Sequence, residues 1–282
     1  MWQRLKNGLS RVSDTHGKVA ERLAHIPDDP TTLPEEIAII ILGDAGFNFW
    51  LNTTDVKVKR EANKYGYKIY CVRGNHEARP ETIETMKQVF DKDVCGPVFM
   101  EDEFPNIRYF KDGRTYEING HRTLVIGGAY SVDKWYRLNR AGLTEETNDP
   151  AKSGWFNNEL LTEDEMLNIA AVTFGEQFDF IFTHTCPLSW EPRDLFLSFI
   201  DQSTVDKSME QWLDVIKDNI DWGIYCFGHY HVDRLERPHV EQFYMECKDI
   251  DTIWQRWQNY DKTGELDWQL IKSPNFYVDN NK

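Results

Sequence analysis

Basic side chains are scarce, with 32 lysines and arginines against 47 aspartates and glutamates and a formal net charge of −15. Sequence-independent grip on a nucleic-acid backbone rests on cations that neutralise phosphates, so this balance argues against it, a local basic groove aside. Cysteine is equally sparse. Cys71, Cys95, Cys186, Cys226 and Cys247 are odd in number and show no CxxC spacing, which speaks against a disulfide framework and against a cysteine zinc knuckle. Three of them stand in or beside expected strands, where cysteine acts as a small apolar residue. No run of about 18 apolar residues is present to cross a bilayer, and the first residues have no apolar leader core. A soluble protein of a reducing, cytoplasmic setting, with no membrane partner, is expected. Repeats and low-complexity tracts are also missing.

What is present is a folding composition: 40% hydrophobic residues, 13% aromatic, ten of them tryptophan, over 282 residues. Candidate ligand residues run from position 14 to position 231, so a split into two domains would divide them. One α/β domain over 1–247 is expected, with residues 248–282 as an extension of unassigned role packed on it.

Short apolar runs alternate with amphipathic stretches. Strands are expected over 33–42, 67–72, 107–110, 115–118, 121–130, 178–183, 223–227 and 240–247, with a short, charged one over 9–12. Helices are expected over 18–26, 54–65, 80–90, 162–174 and 204–219. The helix at 80–90 would open on proline, and the one at 162–174 would be capped by Thr162 with Glu165 three residues on. Asp112-Gly113 predicts a hairpin between 107–110 and 115–118. Residues 131–158, polar and aromatic without a period, read as a long loop over a site.

Five polar segments carry the chemistry. Residues 37–42 run into Gly43-Asp44, 69–72 into Arg73-Gly74-Asn75-His76-Glu77, 180–182 into Thr183-His184, and 223–227 into Gly228-His229-Tyr230-His231; near the start stands Asp14-Thr15-His16. Strand, ligand loop, helix, strand is the order by which βαβ units set functional loops along one sheet edge. Aspartate, asparagine and neutral imidazole are oxygen and nitrogen donors to divalent transition metals, and so many of them at strand ends describe one site built from several loops.

In this order the segments resemble the motif series of the calcineurin-like metallophosphoesterases. The resemblance implies two facing mixed β-sheets flanked by helices, a four-layer α/β/β/α sandwich. It also implies two divalent ions (Mn, Fe, Zn or Ni) about 3.5–4 Å apart, with Asp14, His16 and His231 on one, Asn75, His184 and His229 on the other, and Asp44 between them. The activity implied is hydrolysis of phosphate mono- or diesters by direct attack of a metal-bound hydroxide. His76 would face the substrate and protonate the leaving oxygen or stabilise developing charge. Arg73 extends the match to the Arg-Gly-Asn-His-Glu of the Ser/Thr protein phosphatase branch, where arginine clamps phosphate; the competing reading is a structural ion pair, to Glu77 for instance. The chain departs from that branch at Ala45-Gly46-Phe47-Asn48-Phe49, and its Gly-His-x-His belongs to the broader group. The substrate is expected to be a phosphorylated protein, nucleotide or small molecule, with a phosphatase favoured by the acidic charge. The alternatives are a nucleotide or nucleic-acid phosphodiesterase of the same fold and a metal-binding scaffold without turnover. His25, His121 and His239 read as surface or packed histidines. Trp135, Tyr136, Trp155 and Phe156 are candidates for the pocket mouth, with packing the stronger reading, and Tyr230 for substrate contact or packing.

Overall fold

The computed structural model describes residues 10–12, 18–24, 26, 33–196, 198 and 200–266. The first half of the chain builds one sheet and the second half builds the other. β1 (Ser10–Val12), β2 (Ala38–Ile41), β3 (Lys68–Cys71), β4 (Met86–Asp91), β5 (Gly96–Glu101) and β6 (Ile107–Phe110) lie in the order β1-β2-β3-β6-β5-β4. From β1 to β6 the pairing is parallel, and β5 and β4 continue it antiparallel. β7 (Arg114–Ile118), β8 (His121–Ile126), β9 (Gln177–Thr183), β10 (Asp221–Phe227), β11 (Arg234–Arg237) and β12 (Val240–Gln242) form the second sheet in the order β11-β12-β10-β9-β8-β7, with a parallel centre from β8 to β12.

The strand period of two distributes side chains to two layers. In β2, Ala38 and Ile40 enter the layer between the sheets, where they meet Phe180 and Phe182 of β9 and Ile224 and Cys226 of β10. Ile39 and Ile41 turn to the outside, against Val19 and Leu23 of α1 (Val19–Leu23) and Ala62 of α2 (Thr53–Asn63). On the far side, Leu124, Ile181 and Tyr225 pack with Ile169 of α5 and with Leu213 and Ile216 of α6, helices at Glu163–Thr173 and Ser208–Asp218. Helix, sheet, sheet, helix is therefore the layering, and the strands are apolar on both faces because both faces are covered. The expected four-layer sandwich is the observed fold.

Several local expectations are corrected. The strand expected over 33–42 begins only at Ala38, because Pro34–Glu36 form a 3-10 turn. Over 80–90 only Pro80–Thr82 is helical, as a single 3-10 turn, and Met86–Asp91 then pairs along its whole length with β5. Proline opens a helical turn, but Thr82, Ile83 and Thr85 favour extended backbone and the cross-strand partner decides. The two strands around Asp112-Gly113 form no hairpin: β6 belongs to the first sheet and β7 to the second, and Gly113 at φ +69° turns the chain across the gap. The 131–158 segment is no open loop, since it contains α3 (Lys134–Ala141) and α4 (Pro150–Ser153), each ended by a left-handed glycine, Gly142 and Gly154. The tail beyond residue 247 supplies α7 (Ile250–Thr263), whose Ile250, Ile253 and Trp257 are buried in the layer between the sheets. Trp257 Nε1 donates to Glu241 Oε1 at 2.8 Å, and Arg256 pairs with the same carboxylate. Residues 250–263 thus pack into the central core; Trp268 lies outside the described residues.

Candidate active site

Parallel strands end on one edge, and β2, β3, β9 and β10 end where the two sheets face each other. The turn after β2 holds Asp44 at φ +51°, and the turn after β10 holds His229 and His231 at +67° and +56°. Three non-glycine residues in the left-handed region, at a cost of roughly 1–3 kcal/mol each, mark backbone bent to aim side chains. Two glycines let the loops close. A Cβ on Gly43 would stand 1.9 Å from His184 Nδ1, and one on Gly74 would stand 2.0 Å from Asp44 Oδ1.

The two sheets are joined through His184 and Asp44. His184 Nδ1 lies 2.8 Å from the Leu42 carbonyl oxygen, which can only accept, so Nδ1 carries the proton and Nε2 presents its lone pair. Nε2 stands 2.9 Å from Asn75 Oδ1 and 3.5 Å from Asp44 Oδ2. The Asn75 amide is oriented by its other end: Nδ2 donates to Ser131 Oγ at 2.9 Å, and Ser131 Oγ donates to Glu159 Oε2 at 2.5 Å. An imidazole lone pair, an amide oxygen and a carboxylate oxygen therefore converge, all acceptors when the imidazole is neutral. A cation satisfies that set and a neutral imidazole cannot, so these residues fit a divalent ion. Among the described residues no three of His, Cys, Asp and Glu form a metal cluster by themselves. The expected set draws on the Asn75 amide, and on Asp14 and His16, which lie outside the described residues. β1 does end beside β2, with Val12 paired to Ile41.

The remaining expected residues divide. His229 packs edge-on to His184 with ring centroids 5.0 Å apart, and His231 stacks on Tyr244 at 5.1 Å. His76 donates its backbone N–H to Asp44 Oδ1 at 2.8 Å, its Nε2 lies 3.3 Å from Asn75 Nδ2, and Phe49 stands edge-on to its ring. Asp44, Asn75, His76, His229 and His231 all line one cavity. Arg73 does not. It is 1% exposed, its Nε donates to Asp112 at 2.9 Å, and its terminal nitrogens donate to the carbonyls of Glu159 and Gly127. Arg73 thus makes structural contacts, and its ion-pair partner is Asp112 and not Glu77. Glu77 instead accepts from the Gly74 N–H and the Tyr109 hydroxyl; burial, with the charge of Asp44 added, pushes its carboxyl up to about 7.

Ser131 and Glu159 escaped the sequence reading. Ser131 follows the apolar end of β8 as Asp44 follows β2, which is the signal that could have found it; Glu159 stands among Trp155, Phe156, Leu160 and Leu161, an acid in apolar company. Burial pushes the Glu159 carboxyl up to about 7 against the hydrogen bonds from Ser131. Of the aromatic residues in 131–158, Trp155 and Phe156 are buried, whereas Trp135 and Tyr136 are exposed. His121 packs against Phe180 and Trp254, and His239 stacks on Trp257, as packed histidines; His25 lies outside the described residues. Tyr230 both lines the cavity and packs on Phe227.

A comparison with curated proteins finds no match. A family model described as calcineurin-like phosphoesterase matches residues 12–233. That span covers every strand-end loop of the site, and the family's general chemistry is metal-dependent hydrolysis of phosphoesters on bound divalent ions. With that model matching well over half of its length, the chain belongs to the calcineurin-like phosphoesterase family.

Proposed function

We propose that the protein is a binuclear phosphoesterase that hydrolyses phosphate esters by direct attack of water on phosphorus, acting as a phosphatase on a phosphorylated protein or small molecule. The observation that carries this is the convergence of Asn75 Oδ1, His184 Nε2 and Asp44 Oδ2 at 2.9–3.5 Å. Asn75, His184 and His229 would hold one ion, Asp14, His16 and His231 the other, and Asp44 both, with Mn, Fe, Zn or Ni suiting the mixed donors. When bound, such a pair activates water and withdraws charge from the phosphoryl oxygens.

The chain's own groups do the rest. The Leu42 carbonyl fixes the His184 tautomer, and Ser131 with Glu159 fixes the Asn75 amide. His76, held by Asp44 through its backbone and by Phe49 through its ring, is placed to give a proton to the leaving oxygen or to stabilise charge growing there. The free cysteines suit a reducing, cytoplasmic setting. Aryl phosphate and bis-aryl phosphate, offered with Mn²⁺ to the wild type, Asp44→Asn and His76→Ala, test the reading. Hydrolysis by the wild type that falls at least a hundredfold in both variants is expected. Full metal occupancy without turnover of either ester would identify a metal-binding scaffold instead.

A further inference from the structure

The cavity that holds the ligand loops is larger than a phosphate needs. It encloses about 520 Å³, and beyond Asp44, Asn75 and His229 its wall is formed by Leu195, Phe196, Ile200 and Val205 together with Val132 and Val232. Val132 and Leu195 are 40% and 38% exposed, apolar surface that nothing among the described residues covers. An apolar chamber opening from a polar reaction centre is the usual form of a small-molecule pocket.

Its charges point the same way. Lys207 is the one lysine or arginine among the residues lining it, and its Nζ is bound at 2.6 Å to Glu191 and lies over the Phe196 ring. Two acids, Asp133 and Glu210, also line the chamber. Asp133 Oδ1 and Glu210 Oε2 are buried with no hydrogen-bond partner among the described residues, Glu210 meeting Thr185 through its other oxygen. A second phosphate, or a carboxylate on the substrate, would meet the Asp133 carboxylate and an apolar wall, with the one lysine of the lining already bound to Glu191.

We propose that the chamber binds the organic half of the substrate, and that this substrate is the ester of one phosphoryl group with a small apolar alcohol, not a polyphosphate, a nucleic acid or an acidic peptide. The inference rests on the phosphoesterase reading for the phosphoryl end and on the chamber wall for the rest.

The test is calorimetric titration of the Mn²⁺-loaded protein with ethyl-, butyl- and hexylphosphonate, beside hydrolysis of the matching alkyl phosphates. Affinity should tighten by up to about fourfold per methylene buried, and at least tenfold from ethyl to hexyl. A chain ending in a carboxylate should bind at least tenfold more weakly than hexyl, and Phe196→Ala, or Ile200→Ala should that variant fail to fold, should remove most of the chain-length gain. Equal affinity from ethyl to hexyl, or a carboxylate bound as well as a methyl, overturns the chamber assignment. Rising affinity with no hydrolysis of any ester keeps the chamber and refutes the phosphoesterase reading; hydrolysis with kcat/KM flat along the series does the reverse.

Discussion

Ser131 stands between a buried carboxylate and the amide of Asn75, and its hydroxyl decides which end of that amide faces His184. Ser131→Ala frees the amide to flip, and the expected result is a 10- to 100-fold loss of metal affinity with the unfolding midpoint little changed. Metal titration against a competing chelator reads it; unaltered affinity would show that the amide needs no such support. Arg73 supplies the contrast. Because its guanidinium is engaged with Asp112 and two carbonyls, Arg73→Lys should lower stability by about 1–3 kcal/mol and leave KM for a phosphate ester within twofold. A large rise in KM at unchanged stability would restore Arg73 as a phosphate ligand. Sequence spacing made Asp44, Asn75, His76, His184, His229 and His231 legible as one site because each follows an apolar run. It could not separate Arg73 from them, since adjacency to a motif says nothing of which way a side chain turns.

Among the elements, helix caps were readable, whereas the choice of which strand pairs with which was not. Thr162 and Glu165 form the capping box at the start of α5, both halves of it within four residues. β4 forms because β5 pairs with it across the four residues 92–95, and Asp112-Gly113 passes between sheets because β7 pairs instead with β8 across Asn119-Gly120, both at positive φ, the hairpin signal that the spacing around Asp112-Gly113 concealed. α7 is the furthest-reaching case: its tryptophans stand amid charge in the sequence, yet Trp257 fills the space between the sheets and hydrogen-bonds the buried Glu241. Trp257→Ala should cost about 3–5 kcal/mol of stability, measured by urea unfolding, although the residue lies well outside the site. A cost below about 1 kcal/mol would mean that α7 is dispensable to the core.

For the whole molecule, acidity and burial combine to tie stability to pH. Glu210 is buried in the second sheet's helix layer, and its carboxyl is pushed up to about 7 by that burial, against 4.5 ordinarily. The folded chain therefore binds more protons than the unfolded chain between about pH 4.5 and 7. This contribution is fully present below that range and is lost as pH rises through it. Glu210→Gln should accordingly be more stable than the wild type at pH 8, with the gap closing towards pH 4.5; a gap of the same size at both ends would refute the assignment. Two sheets meeting at their strand ends place acceptors of both halves of the chain around one point, and the account stands or falls on what fills it. The direct measurement is the number of divalent ions per chain, by elemental analysis, in the wild type and in Asp44→Asn. The account predicts two in the wild type and at most one in the variant, with ester hydrolysis lost in step; two ions retained without Asp44, or none held by the wild type, would contradict it.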